Sequence, residues 1–199
     1  MNNGLALASS VVCGTAKNLL SKKGGSDFKG IKNTAKVNLV TSAISVVITA
    51  VFASLKGSAK FAFDAEFFAL AACFAAFTFA AQGCFIVATE NGSVATASLL
   101  YAYGFLLPTV FGTAFYGEKI GALRICGVIL IVVSAFISNA GGKSGKFNAK
   151  FTIFALSASL CSGGVGIVQK IFRNSAYKEF SESFLITSFC LLAIISAVT

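Results

Sequence analysis

Residues 92–116 read GSVATASLLYAYGFLLPTVFGTAFY, an apolar stretch without a charged side chain. A helix that crosses a bilayer needs about 20 mostly apolar residues, and Val94–Tyr116 supplies them. The stretch also holds the only proline of the chain, Pro108. Because proline removes a backbone hydrogen bond and clashes with the preceding turn, it kinks a helix. We therefore predict a kinked membrane-spanning helix.

Six other apolar segments lie on either side of this stretch, separated by short linkers that hold most of the charges. They are too long for the strands of a β-barrel, and their apolar and polar residues do not alternate with period 2. Backbone groups in lipid must be hydrogen-bonded within the segment. The predicted fold class is an all-α membrane protein, a polytopic helical bundle. Its seven predicted spans are Leu5–Leu20, Val37–Leu55, Phe67–Thr89, Val94–Tyr116, Ile120–Ser138, Phe151–Phe172 and Phe184–Thr199.

The composition excludes a soluble globular domain. Hydrophobic residues make up 56% of the chain and charged residues 12%, whereas a soluble domain is about 25% charged. The net charge of +9 comes from Lys and Arg between the apolar runs, where cytoplasmic loops carry them. We therefore expect the lipid bilayer, and not nucleic acid, as the partner.

The chain contains no pattern typical of catalysis or metal binding. It has no histidine, and its six cysteines, at positions 13, 73, 84, 126, 161 and 190, form no C-x-x-C pair. Because all six lie in or beside apolar runs, we interpret them as packing residues. No nucleophile–base pair or carboxylate pair lies within the spans. We predict no enzymatic activity, no cofactor and no metal.

Two pairs of segments indicate an internal repeat. Leu5–Gly14 is similar to Phe154–Gly163, and Val40–Ile48 is similar to Ile186–Ile194, in the same order and at nearly constant offset. Such duplication is typical of secondary transporters. We predict a first five-helix repeat in residues 1–140 and the start of a second in residues 150–199. Seven of an expected ten spans would then be present, as in a C-terminally truncated chain.

The kinked fourth span predicts a face that lines a cavity. Small residues, the proline and a tyrosine hydroxyl share it, at positions Ala97, Tyr101, Gly104, Pro108 and Gly112. Tyr101 and Pro108 are our candidates for the cavity lining. Plain helix packing around a structural kink is the alternative.

Polar residues in three other spans are further candidates for the cavity. Lys17, on one face of the first span with Ser10, is the deepest cation, and a charge within the membrane is costly enough to indicate function. It could also snorkel to the interface. Gln82 could contact substrate or form an interhelical hydrogen bond. Ser159 lies in the sixth span, near Gly163, Gly164 and Gly166, which indicate close helix approach.

The third span has two faces that predict different packing. A stripe of small residues would let another helix come close, and a stripe of bulky residues suits lipid or aromatic packing. The small stripe comprises Ala65, Ala69, Ala72, Ala76, Ala80 and Gly83, and the bulky stripe comprises Phe67, Leu70, Phe74, Phe77 and Phe85.

Residues 92–108, followed by Phe115–Phe136 with Gly117-Glu118 and Gly127, carry a family signature. This sequence resembles the EamA-like branch of the drug/metabolite transporter superfamily. The resemblance implies ten helices in two inverted five-helix repeats around a central cavity. It also implies that Gly117 and Glu118 form a structural loop, in which Glu118 fixes the turn between helices four and five and is not a substrate ligand. Related small multidrug pumps carry a glutamate where this chain has Val11, which argues against their proton-coupled efflux of cationic drugs.

These features together predict a secondary transporter for a small metabolite or drug-like solute, working by alternating access between two inverted repeats. A non-transporting membrane scaffold or assembly subunit is the alternative, and homo-oligomer formation stays open. A retinal protein is excluded because Phe184–Thr199 has no lysine for a Schiff base.

The orientation in the membrane is predicted differently by charge and by resemblance. The Lys-rich linkers at residues 22–36 and 143–150 lie on one side, and the positive-inside rule makes that side cytoplasmic. The N-terminus would then be outside, whereas the resemblance implies a cytoplasmic N-terminus. We adopt the charge rule, and expect a multi-pass protein of the plasma or inner membrane.

Overall fold

The computed structural model describes residues 31–56, 64–118, 121–122, 125–130, 133 and 149–199. All regular structure in these ranges is helical, without a strand. Four segments within them are long and apolar enough to cross a membrane, namely Ala65–Asn91, Val94–Tyr116, Ala149–Asn174 and Lys178–Val198. The chain is thus a helical membrane protein. The predicted first span lies outside the described residues.

The helices follow the predicted segments closely. The second span forms α1, the third forms α2, the fourth is divided into α3 and α4, the sixth forms α5 and the seventh forms α6. Of the fifth span, residues 125–130 are described as helical. The bounds are α1 Ile31–Lys56, α2 Ala65–Asn91, α3 Val94–Tyr103, α4 Leu106–Tyr116, α5 Ala149–Asn174 and α6 Ser181–Val198, with a 3₁₀ turn at Lys178–Phe180.

Helix α1 corresponds to the predicted second span, and several of its residues are serine or threonine. Its hydroxyl side chains bond to carbonyls one turn earlier. Ser45 Oγ donates to Thr41 O at 2.8 Å, and Thr49 Oγ1 donates to Ser45 O at 2.7 Å. These bonds satisfy the hydroxyl groups within the helix.

The break between α3 and α4 follows from Pro108. Proline has no N–H to donate to Gly104 O, four residues earlier. The N–H of Leu107 donates to Gly104 O instead, at 3.2 Å, and Gly104 N donates to Tyr101 O at 3.1 Å. These i to i+3 bonds tighten the chain into a 3₁₀ turn. The predicted kink is therefore confirmed, as a break at residues 104–105 within one span.

Helix α5 lies at the centre of the described bundle and packs against α2, α3 and α4. Helix α6 packs against α1 and α2. An aromatic cluster joins α2, α5 and α6, with Phe67, Phe74, Phe172 and Phe184 all buried. The rings of Phe172 and Phe184 stack with centroids 4.0 Å apart. This cluster is the main core.

Among the described residues, the prediction that the small stripe of α2 lets another helix come close is wrong at four of its six positions. Ala65, Ala69, Ala72 and Ala76 are exposed, whereas Phe67 and Phe74 of the bulky stripe are buried. The reason is that interlocked rings from three helices fill the space beside α2. Aromatic packing, the role suggested for the bulky stripe, is confirmed at both phenylalanines.

The predicted repeat pairs α1 with α6, and these two helices pack against each other. The predicted alignment places Ser42 opposite Ser188, and these serines are 1% and 0% exposed. Contact between equivalent helices is expected near a pseudo-two-fold axis. The duplication and its boundaries stay predictions that this packing supports.

Candidate functional site

A cavity of about 810 Å³ lies between the α3–α4 break and the C-terminal half of α5. One face of α5 forms a wall, because its lining residues recur every three or four positions. They are Ser162, Val165, Gly166, Gln169, Lys170 and Arg173. The opposite wall comes from the broken span and the residues that follow it, with Tyr101, Ala102, Phe105, Pro108, Thr109 and Glu118. The predicted kink therefore borders a cavity.

Glycines bring α5 close to the break. A Cβ atom at Gly104 would overlap the carbonyl oxygen of Ser159 and would lie 3.1 Å from the backbone N of Gly163. A Cβ atom at Gly166 would lie 2.7 Å from Pro108 Cγ. Only glycine lets the backbones approach this far. The close approach predicted for Gly163, Gly164 and Gly166 is confirmed.

Lys170 connects α5 to both ends of α4. Its Nζ atom lies 2.8 Å from Glu118 Oε2 and donates to the carbonyl oxygen of Pro108 at 3.0 Å. Gly112 leaves the room for this side chain, because a Cβ atom there would overlap Lys170 Nζ. The ammonium group is thus held between the proline turn and the end of α4.

Glu118 reaches Lys170 because of how α4 ends. Gly117 adopts a left-handed conformation with φ 61°, which stops a helix and strongly favours glycine. The N–H groups of Gly117 and Glu118 both donate to Gly112 O. This turn directs the chain so that the Glu118 carboxylate lies against Lys170.

The lining combines charged and polar groups with apolar ones. Among the described residues that line it, Lys170 and Arg173 are cations and Glu118 carries a carboxylate. The side chain of Lys170 is 16% exposed and that of Glu118 is 34% exposed. Charged groups within a membrane protein are costly and mark solute or ion pathways. The arrangement can bind a small polar solute reversibly.

The predicted site residues are distributed unevenly. Tyr101 and Pro108 line the cavity, and so does Glu118 of the predicted loop. Ser159 is buried at the crossing with Gly104 and does not line the cavity.

The remaining candidates do not reach this cavity or cannot be placed. Gln82 is half-buried on α2, away from the lining. Ser10 and Lys17 lie outside the described residues. The roles proposed for these side chains stay predictions.

The cavity also contains three residues that were not predicted as site residues from the sequence, namely Gln169, Lys170 and Arg173. The signal for them was the continuation of one face of the sixth span from Ser162 into polar residues at its end. The partner Glu118 lies 52 residues from Lys170 in sequence, so spacing could not pair them.

No cysteine is among the described residues that line the cavity. Cys73, Cys84, Cys126, Cys161 and Cys190 are free thiols. Within the described ranges, no three Cys, Asp or Glu side chains group as a metal site would require. Cys13 lies outside these ranges.

Comparison with known proteins gives one match. The family model of the EamA-like transporter family matches residues 4–140, which is more than half of the chain and includes Pro108, Gly117 and Glu118. No curated protein and no solved structure matches the chain. Members of the matched family are membrane transporters, not enzymes.

Proposed function

Since the chain belongs to the EamA-like transporter family, we propose that it moves a small metabolite or drug-like solute across the membrane by alternating access. The observation that carries this proposal is the cavity of about 810 Å³ beside the broken helix. Small-molecule sites in proteins have volumes of about 300–1,000 Å³. The cavity therefore suits a single small solute.

The broken span supplies a hinge for such a movement. Transporters of this kind rock one helical repeat against the other around a central site. The 3₁₀ turn at Gly104 lacks regular helical hydrogen bonds, so it can bend at lower cost than an intact helix. The Lys170–Glu118 ion pair holds the far end of α4 against α5 and would part when the cavity opens.

Uptake into liposomes that contain the full chain tests this proposal. Ser162→Phe fills the cavity, and we expect it to reduce the rate of solute uptake at least tenfold. Leu160→Phe is the matched control, because Leu160 is 61% exposed on the outer surface of α5. If none of a broad panel of metabolites crosses, or if both variants transport equally, the proposal is wrong.

The alternative, a membrane scaffold, would favour a closed apolar interior. The polar and charged lining of the cavity supports transport instead. A scaffold would bind no solute, so stabilisation of the purified protein by a transported compound would separate the two functions.

We also propose the orientation given by the positive-inside rule, in a plasma or inner membrane. The Ala149 end of α5, next to the Lys-rich linker, would be cytoplasmic, and the cavity near Asn174 would face outward. Labelling of Lys178→Cys by an impermeant thiol reagent from outside intact cells is the expected result. Labelling from the cytoplasmic side alone would support the opposite orientation.

A further inference from the structure

The charge of the cavity is unbalanced toward the positive. Lys170 and Arg173 are three residues apart on α5, so they lie on the same face of the helix, and both line the cavity with Glu118. We propose that the cavity selects small organic anions, whose carboxylate or phosphate oxygens bind between Lys170 and Arg173. This inference deepens the proposed function and rests on it for the transport step.

Lys170 retains capacity to bind a ligand. An ammonium group has three donors. Two of them are used, one by Glu118 Oε2 at 2.8 Å and one by the carbonyl oxygen of Pro108 at 3.0 Å. One donor is left for an anion, at a position that the two existing bonds fix.

Because Lys170 already forms an ion pair with Glu118, the positive charge that remains for an anion comes mainly from Arg173. Its side chain is exposed and has no ion-pair partner among the described residues. A guanidinium group presents a planar fork of donors that matches carboxylate and phosphate oxygens in pairs. An anion bound here would also neutralise a charge that a membrane protein carries at a cost.

The remaining lining indicates what the anion is attached to. Phe105, Val165 and the ring of Pro108 provide apolar surface, and Tyr101 adds an aromatic ring with a hydroxyl group. Gln169 contributes an amide beside the cations. This combination fits an organic body with an anionic end better than an inorganic ion.

Binding of four matched aromatic probes tests the inference. Full-length protein in nanodiscs is equilibrated with benzoate, phenyl phosphate, benzamide or benzylammonium, which share a ring and differ in charge. We expect at least one of the two anions to bind about tenfold more tightly than benzamide and benzylammonium, and the preferred anion distinguishes carboxylate from phosphate recognition. Equal binding of all four probes, preference for the neutral or cationic probe, or no binding would overturn the inference.

Three variants locate the effect. Arg173→Gln should weaken binding of the preferred anion about tenfold or more, since it removes a charge-assisted hydrogen bond. Glu118→Gln should strengthen that binding, because it removes a competing carboxylate from Lys170. Lys178→Gln, the same charge change at an exposed residue outside the cavity, should leave it unchanged. If Lys178→Gln weakens binding as much as Arg173→Gln, surface charge and not the cavity is responsible.

Flux measurements separate this inference from the proposed function. Transport of neutral or cationic solutes without anions would overturn the anion preference and leave transport standing. Anion binding that depends on Arg173, without flux of any solute, would support the binding site and contradict transport.

Discussion

The two sides of α5 pack differently, one within an aromatic core and the other beside a cavity. On one side, Phe172 packs with Phe67 and Phe184, all three buried, and their rings lock α2, α5 and α6 together. On the other side, Gly163 and Gly166 lie against a broken helix beside a cavity with charged walls. The first side gains stability from filled volume, whereas the second leaves an open volume that we propose as the solute path.

Different contacts hold the neighbouring helices to α5 on its two sides. On the aromatic side, ring contacts hold the helices in place. These contacts allow the helices little sliding, because packed interiors contain few voids. The cavity side is held by backbone approach at Gly104 and by one ion pair, Lys170–Glu118. We therefore expect the aromatic side to act as a scaffold and the cavity side to move.

Removing a ring from the aromatic side should have the largest effect on stability. Phe67 is fully buried, and its ring lies 6.0 Å from that of Phe184 and 6.2 Å from that of Phe172. Phe67→Ala leaves a cavity and should lower the free energy of unfolding in detergent by about 3 kcal/mol. Phe115→Ala, at a residue 73% exposed, should cost less than about 1 kcal/mol. Equal losses would show that the aromatic cluster is not the core.

A side chain at the glycine crossing should come next. Gly104→Val places branched carbons against the Ser159 carbonyl and the backbone of α5, where neither can move away. We expect a loss of about 2 kcal/mol in unfolding free energy, together with loss of transport. Gly127→Val is the control, because a Cβ atom there has open space. A neutral Gly104→Val would contradict the close approach.

The ion pair on the cavity side should matter less to stability. Lys170→Gln, Glu118→Gln and the double variant form a double-mutant cycle, and we expect a coupling energy of about 1 kcal/mol. This value lies between those of exposed and buried pairs, as the partial exposure of both side chains requires. Zero coupling would show that the pair does not hold α4 to α5.

The smallest effect concerns Tyr177, at the edge of the aromatic side. Interaction of the phenol with the Asp64 carboxylate, together with desolvation, raises the pKa of Tyr177 above its ordinary value of about 10. The folded state therefore holds this proton more tightly, so the stabilisation is present below pH 10 and is lost as the pH rises through the raised pKa.

Unfolding of Tyr177→Phe at several pH values measures this contribution. The variant should be slightly less stable than the parent at neutral pH, and the two should converge in alkali. Tyr116→Phe should show no such convergence. A difference that grows with pH would contradict the raised pKa of Tyr177.

The sequence alone predicted the helices and the break well. Apolar runs specify spans because lipid leaves the backbone no other solution, and Pro108 with Gly104 specifies where one of them breaks. Gly163, Gly164 and Gly166 predicted close helix approach. Because glycine has no side chain, it lets another backbone come close wherever the helix packs.

Side-chain contacts between residues of different helices could not be predicted from the sequence. The choice between the two faces of α2 depended on rings that Phe172 and Phe184 supply from distant parts of the chain. The cavity likewise depended on Lys170 meeting Glu118 across two helices. Sequence spacing carries no information on such contacts, although the polar end of the sixth span was visible.

If the cavity face of α5 is the solute path, a thiol reagent that modifies this face should block transport. In a cysteine-free background in liposomes, Val165→Cys should react with an impermeant anionic methanethiosulfonate, and the reaction should block solute uptake. Leu160→Cys, on the outer surface of the same helix, should react slowly and transport normally. Rapid labelling of Leu160→Cys with no reaction at Val165→Cys, or labelling of Val165→Cys without loss of uptake, would contradict the account.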